Sequence, residues 1–476
     1  MKIRFFIVLV LFAFLVAAHT SNAEAMYYVS PTGNDTNTGS ISSPFQTIQK
    51  AVDVARTGDT ILVRGGTYNE SVWMKYSGAS GSPITLKNYS GEAPRINGPI
   101  GLVSSSGILN PISWIIVEGF DINNFAGSPL TSNGIVLTNA ANIVIRGNTV
   151  HDSKNQGIGG NGYNITIDRN VVSRTGLQET DPSSFNKHHG IYLTGTSISI
   201  TNNIIHSNLA YGIQIAAYPY DSTKHAGVEY AWAKNWVISN NVIAFQKNRS
   251  GIVVWQSGAD NNTIQNNIFY DNSQTPGADD THGILFYNGA GNIVRNNLFY
   301  SSNPGKITIN NLAGSGAFTQ SNNLVQQDPS FANAPAFDFH LQTASPAINA
   351  GISDKAPAID FNGTTRPQGS AYDIGAYEFT GSANISSCSL YTPSSPIPDR
   401  FASPFWVANN PSQSLINVNC SSAIPSLTVG APLGSSASTY VYKDIYIYKN
   451  NQWEKLTNLQ GTPVYNNEWY QGTVSV

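Results

Sequence analysis

The stretch Lys187-His188-His189-Gly190-Ile191-Tyr192 sets a lysine and two of the chain's eight histidines at the start of a short apolar run. Such groups suit proton abstraction. β-Elimination from a uronic-acid polymer needs a base near the C5 proton and a cation against the uronate carboxylate, where charge builds in the transition state. The candidate bases are Lys187, His188, Lys234 and Lys247, and Arg249 is the candidate carboxylate partner. Asp271, Asp279 and Asp280 offer hard oxygen ligands suited to calcium, with Asp221 and Glu229 in a facing loop able to complete such a site. For each of these residues the plain alternative is a solvated loop charge.

The elements that would position these groups are read from a repeat. Gly-Ile followed by two strand residues recurs at Gly134, Gly157, Gly190, Gly212, Gly251 and Gly283, at intervals of 23, 33, 22, 39 and 32 residues. A second apolar alternation follows each copy and ends at Asn148, Asn170, Asn203, Asn241, Asn267 or Asn297, and a third short apolar piece comes next. The shortest units leave no room for a crossover helix, which excludes βαβ architecture. Three short strands per unit instead predict the coils of a parallel β-helix, each strand pairing with its equivalent in the next coil. The recurrent asparagines are expected at corners, in left-handed backbone, with their amides stacked up a column. Asn142, Asn164, Asn235 and Asn261 form a second such column.

Three insertions flank the Gly-Ile strands: residues 171–189, 216–234 and 269–282. Long loops on a rigid solenoid line its binding face, so a walled groove over consecutive coils is expected. Strand alternation turns Ile191 and Leu193 inward and Tyr192 and Thr194 outward. The same parity puts Gln214, Val253 with Trp255, and Leu285 with Tyr287 on the groove floor, and Tyr218 joins them from a loop. Tyr192, Gln214, Tyr218, Trp255 and Tyr287 are the substrate-binding candidates, since exposed rings stack on sugars; the alternative is that the loops cover them. Lys187 and His188 fall at the groove's lip. His189, with His282 equivalent two coils later, reads as a corner residue.

Lys2 and Arg4, an apolar run from Phe5 and the small residues Ala23 and Ala25 give residues 1–25 the form of an export signal, with Met26 first in the mature chain. No other stretch is apolar and long enough to span a bilayer. Charged residues are 11% of the chain and the net charge is -3, which gives no electrostatic case for nucleic acid. In an exported protein Cys388 and Cys420 could form one local disulfide, and no Cys/His spacing suggests zinc.

The N-terminal region resembles the family 9 polysaccharide lyases and related secreted right-handed β-helix proteins. The resemblance is carried by Val29-Ser30-Pro31-x-Gly33-x-Asp35, Ser43-Pro44-Phe45-x-Thr47-Ile48, Gly58-Asp59-Thr60-Ile61 and Gly65-Gly66-Thr67-Tyr68. Family 9 lyases use a lysine base beside a calcium-binding aspartate cluster in the middle coils. No matching run of carboxylates occurs here, so no catalytic residue is carried over. The patterns of pectin-hydrolysing β-helix enzymes and of alginate epimerases are absent as well. Ser345-Pro346-Ala347-Ile348, Arg366-Pro367 and Asp373-Ile374-Gly375-Ala376-Tyr377-Glu378 resemble the closing module of bacterial surface β-helix proteins, in which such Asp and Arg residues are salt-bridged turn residues.

The expected fold is therefore all-β: a right-handed parallel β-helix over residues 26–379, with a short N-terminal capping helix. Its cap and first coils occupy 26–100, its regular coils 134–310 and its C-terminal cap 338–379. A linker at 380–400 leads to a small β-rich domain at 401–476, where aromatic and polar residues alternate. The leading functional expectation is a secreted, lyase-like enzyme acting on an acidic polysaccharide, with calcium as a candidate cofactor. The alternatives are a non-catalytic glycan-binding or scaffold protein held at the cell surface through its C-terminal domain, and a glycoside hydrolase using paired carboxylates such as Asp279 or Asp280.

Overall fold

The computed structural model describes residues 24–104, 110–124, 132–181, 184, 186–217, 232–275 and 281–381, and the backbone of the strands between 389 and 475. The expected disulfide cysteines lie outside the described residues. The chain divides into two compact units, Met1–Glu378 and Phe379–Val476.

In the first unit three strands per coil stack into three parallel sheets. Sheet I holds the Gly-Ile strands, among them Ile191–Thr194, Ile213–Ile215, Ile252–Val254 and Thr281–Phe286. Sheet II holds the strands that lead to the corner asparagines, such as Ile198–Thr201 and Val237–Ser239. Sheet III holds the pieces after them, such as Ile204–His206 and Val242–Ala244. In two coils the first two strands run on without a break, Ile135–Arg146 and Ile158–Asp168, so sheets I and II join into one set of 18 strands while sheet III keeps ten. Equivalent residues pair from coil to coil: Ile191 pairs with Ile158 on one side and Ile213 on the other, and Ile213 with Ile252. Inward residues such as Ile191, Leu193, Ile213 and Ile252 are fully buried and fuse into one core running the length of the coils.

The glycine of each Gly-Ile pair follows from this stacking. A Cβ on Gly190 would lie 2.7 Å from the Gly212 carbonyl oxygen, and one on Gly212 would lie 2.7 Å from that of Gly251. The coils close on each other at this point and admit no side chain.

Asn148, Asn170, Asn203, Asn241, Asn267 and Asn297 form a buried ladder that ends at Asn323. Each side-chain amide donates to the Oδ1 of the next at 2.8–3.2 Å. The left-handed backbone expected at these residues belongs instead to the residue before each one: Gly147, Arg169, Asn202, Asn240, Asn266 and Asn296. That turn frees the ladder side chain to point inward. In the second column Asn142, Asn164, Asn235 and Asn261 are themselves left-handed. Asn241 accepts from both the backbone and side-chain nitrogens of Asn203 and donates to the Ile200 and Ser239 carbonyls. Asn241→Ala leaves the buried Asn203 N–H without an acceptor, and a loss of about 2–3 kcal/mol is expected, read from the midpoint of urea unfolding.

The capping helix spans Ile48–Val54. Its N-cap is Thr47, whose hydroxyl accepts from the Lys50 N–H. Asp35 receives the Gln46 and Thr47 N–H groups and the Thr47 hydroxyl, and Glu70 receives those of Ile48 and Gln49. Asp35 of the N-terminal motif thus serves the scaffold. Ile48, Ala51 and Val52 are buried in the core with Val29 and Ile61 of the first coil.

Residues 345–378 run back along the corner between sheets II and III. Asn296 donates to Ala350 O, Asn266 to Ile352 O, Asn240 to Asp373 O and Asn202 to Ile359 O. The Arg366–Glu378 pair, 2.6 Å apart with neither side chain exposed, closes this segment. The second unit contains antiparallel pairs, Ser426–Pro432 with Trp469–Ser475 and Lys443–Lys449 with Gln452–Leu459.

Candidate functional site

On the outer face of sheet I the outward column Tyr192, Gln214, Val253 and Leu285 is in register across four coils. Trp255 and Tyr287 stand two residues further on, just past the ends of their strands. Val253 and Leu285 are buried with Ala210 and Tyr211, and Tyr287 packs on this small apolar cluster. Above it lies a cavity of about 450 Å³ lined by Gln156, Asn186, Lys187, His189, Tyr192, Tyr211, Gln214, Arg249, Trp255 and Tyr287. The lining extends from the coil of Gln156 to that of Tyr287, four coil steps or roughly 19 Å along the axis.

The sequence candidates Lys187, Arg249, Tyr192, Gln214, Trp255 and Tyr287 all meet in this cavity. Its described lining carries two cations and no carboxylate. Lys187 is exposed, with its Nζ 3.4 Å from the Ser184 hydroxyl. The Nε of Arg249 is buried and has no hydrogen-bond partner, and among the described residues the guanidinium forms no ion pair. Trp255 is 37% exposed and meets Tyr287 edge-on, with ring centroids 4.5 Å apart.

Other candidates sit elsewhere. His188 turns from the cavity and places its ring nitrogens 3.1 Å from Asn155 Oδ1 and 3.2 Å from Glu179 Oε2. Burial lowers its pKa despite the nearby Glu179 carboxylate. Lys234 is 3.6 Å from Asp260 and lies over the Trp232 ring, on the corner between sheets I and II. Lys247 follows the buried corner residue Gln246, fixed by its backbone to Asn208 and Thr275, and is not part of the cavity lining. Asp271 occupies a left-handed turn after sheet III and accepts the Ser302 N–H, which makes it a corner residue. Tyr218, Asp221, Glu229, Asp279 and Asp280 lie outside the described residues. Among the described residues no group of three or more His, Cys, Asp or Glu could hold a metal ion.

Four lining residues were not candidates: Gln156, Asn186, Tyr211 and His189. Gln156 clamps the lip, its Oε1 accepting the His189 N–H at 2.8 Å and its Nε2 donating to the Lys187 carbonyl at 3.0 Å. His189 is indeed a corner residue, accepting the Tyr211 N–H on Nδ1 at 3.3 Å, but its ring also lines the cavity, stacked on Tyr192. Burial, then the charges of His188 and Arg249, push its pKa down to about 3, so the imidazole is neutral. The signal that would have found it is the residue preceding each Gly-Ile: Gln156, His189 and Tyr211 occupy that place in three successive coils.

Comparison with known proteins agrees with this architecture. A family model described as Pel9A-like, right handed beta helix region matches residues 27–192, and one described as right handed beta helix region matches residues 186–331. The uncharacterized protein YwoF of Bacillus subtilis is 27% identical over 241 residues, 45% of this chain and 49% of that protein. Pectate lyase PEL9 of Emericella nidulans is 45% identical over 73 residues, 15% of this chain and 18% of that one. The chain thus spans about half the length of the first of these curated relatives and about a fifth of the second. The crystal structure of pectate lyase Pel9A aligns with a TM-score of 0.43 at 15% identity, covering 75% of this chain and 97% of that one. No helix among the described residues is long and apolar enough to cross a membrane. The chain is a right-handed parallel β-helix that resembles polysaccharide lyase family 9.

Proposed function

We propose that this protein is an exported enzyme that cleaves an acidic, uronate-containing polysaccharide by β-elimination. The observation that carries the reading is the cavity on sheet I, where Lys187 and Arg249 meet Tyr192, Trp255 and Tyr287. Polymer lies along the coil axis with its rings against the aromatic side chains. Arg249 holds the carboxylate of the reacting uronate and stabilises the charge that spreads onto it as the C5 proton leaves. Lys187 Nζ is the base that takes that proton. The electron pair forms the C4–C5 double bond, the C4–O4 bond breaks, and the departing oxygen takes a proton from water, while Lys187 later returns the C5 proton to solvent. The products are a new chain end and an unsaturated uronide. In the same proposal residues 1–25 direct export, and the second unit attaches the enzyme to a cell surface.

The test is mature protein from Met26 onward against pectate, alginate and glycosaminoglycans, following the ultraviolet absorbance of unsaturated uronides with calcium and with a chelator. A rising absorbance supports the lyase, and the chelator arm decides whether calcium takes part. New reducing ends without absorbance would overturn it in favour of hydrolysis, and retention on glycan without turnover in favour of a binding protein. Trp255→Ala is expected to raise KM about 3- to 10-fold with kcat little changed, since stacking serves ground state and transition state alike.

A further inference from the structure

We propose that His189 is a neutral hydrogen-bond donor that, together with Arg249, grips the carboxylate of the bound sugar. The inference rests on the reading of the cavity as a uronate site and adds to it a residue that loop chemistry alone would not select. The corner before each Gly-Ile strand works as a hydrogen-bonded column: the side chain of one coil accepts the backbone N–H of the next. Gln156 accepts from His189, and His189 Nδ1 accepts from Tyr211. In a neutral imidazole whose Nδ1 is an acceptor, the proton sits on Nε2. The scaffold therefore fixes the tautomer.

The second polar group of Gln156 is used within the protein, as a donor to the Lys187 carbonyl. The corresponding group of His189, Nε2–H, finds no acceptor among the described residues, although the side chain is only 2% exposed and lines the cavity. Stacking on Tyr192, with centroids 5.5 Å apart and planes 15° apart, and a tilted contact with Tyr211 hold the ring in place. Arg249 is near enough for its charge to depress protonation of this imidazole. Its own Nε is buried and unpartnered. The neutral imidazole donor and the Arg249 guanidinium line one cavity. An anionic oxygen pair satisfies both, whereas a single hydroxyl satisfies one. Nε2–H already carries its proton and Nδ1 is engaged, so His189 is excluded as the base.

The experiment measures binding of short uronate oligomers prepared from pectate, alginate and a glycosaminoglycan, and of the matching neutral oligomers with the carboxyl group reduced to an alcohol. It is done by calorimetry in the Lys187→Met background, so that turnover does not interfere. The unsubstituted His189 protein should bind at least one acidic oligomer more tightly than its neutral counterpart, and His189→Leu should cut that preference about tenfold. His189→Gln, which keeps an N–H donor, should retain part of it. If Leu weakens acidic and neutral oligomers equally, His189 meets a hydroxyl and the proposal falls; it also falls if no acidic oligomer is preferred. Should His189→Leu fail to fold, nitrogen NMR of the His189 ring in the parent protein decides: the Nε2–H proton must move downfield with the acidic oligomer and stay with the neutral one. Preference for the acid together with no turnover by the unsubstituted enzyme would sink the lyase reading and leave this site standing.

Discussion

Arg249→Met is expected to lower kcat/KM on a uronate polymer by about 10²- to 10³-fold, the scale of removing one preorganised donor from a developing oxyanion. The fold should tolerate the change, because the buried Nε of Arg249 makes no hydrogen bond and the described chain offers the guanidinium no ion pair. Urea midpoints of the variant and the parent should therefore agree within error. Arg249→Lys keeps the charge but loses the planar fork that matches a carboxylate, so its activity should fall between the two. Kinetics on the substrate found in the absorbance screen, run beside a urea titration, check both halves. Loss of stability together with activity would recast Arg249 as a structural residue.

Glu378→Ala is expected to cost about 3–5 kcal/mol, the range for leaving one member of a buried ion pair alone. Glu378 Oε2 accepts from Arg366 Nη1 at 2.6 Å and its Oε1 accepts the Gln368 N–H. Arg366 in turn donates through Nη2 to Asn202 Oδ1 and to Gly375 O. With Glu378 gone, a guanidinium with no exposed surface keeps only neutral acceptors. The damage should begin locally, as release of residues 345–378 from the corner asparagines, visible as faster amide exchange at Ile352 and Ile374 before the coils melt. Replacing the pair together, Arg366→Met with Glu378→Leu, should restore much of the loss, since the pair's desolvation cost disappears with it. If the single substitution leaves exchange unchanged, the clasp does not hold the segment.

The coil architecture was legible because it is written in repeated, local chemistry. Gly-Ile marks where neighbouring coils touch, and the asparagine marks a corner whose amide must be satisfied by its neighbour. Strand parity was enough to bring Tyr192, Gln214, Trp255 and Tyr287 to one surface. The cations were harder. Arg249 reaches the cavity from a plain corner whose course the repeat fixes, and Lys187 reaches it from the end of the long insertion 171–189. Lys234 was grouped with them by nearness to a long loop, yet it turns toward Asp260 on another corner. His188 and His189 are adjacent and chemically alike; strand parity puts His188 at the lip as a candidate base and His189 in a corner, whereas it is His189 that lines the cavity and His188 that turns away. The column of residues before each Gly-Ile decides between them by setting His189 against Tyr211 and His188 against Asn155 and Glu179. The left-handed corner residue was misplaced by one position because asparagine suits both the turn and the ladder.

The asparagine ladder also makes the coil a unit of growth. Each link is the same donor, the same acceptor and nearly the same length from Asn148 to Asn323. A segment running from one ladder asparagine to the next can be duplicated or deleted, and the two cut ends find the partner they would have had. The outward column of sheet I lengthens or shortens by one residue in the same event, with its parity preserved. Gene duplication can thus change the length of the groove without redesigning any contact, whereas an insertion of any other length must loop out of the coil.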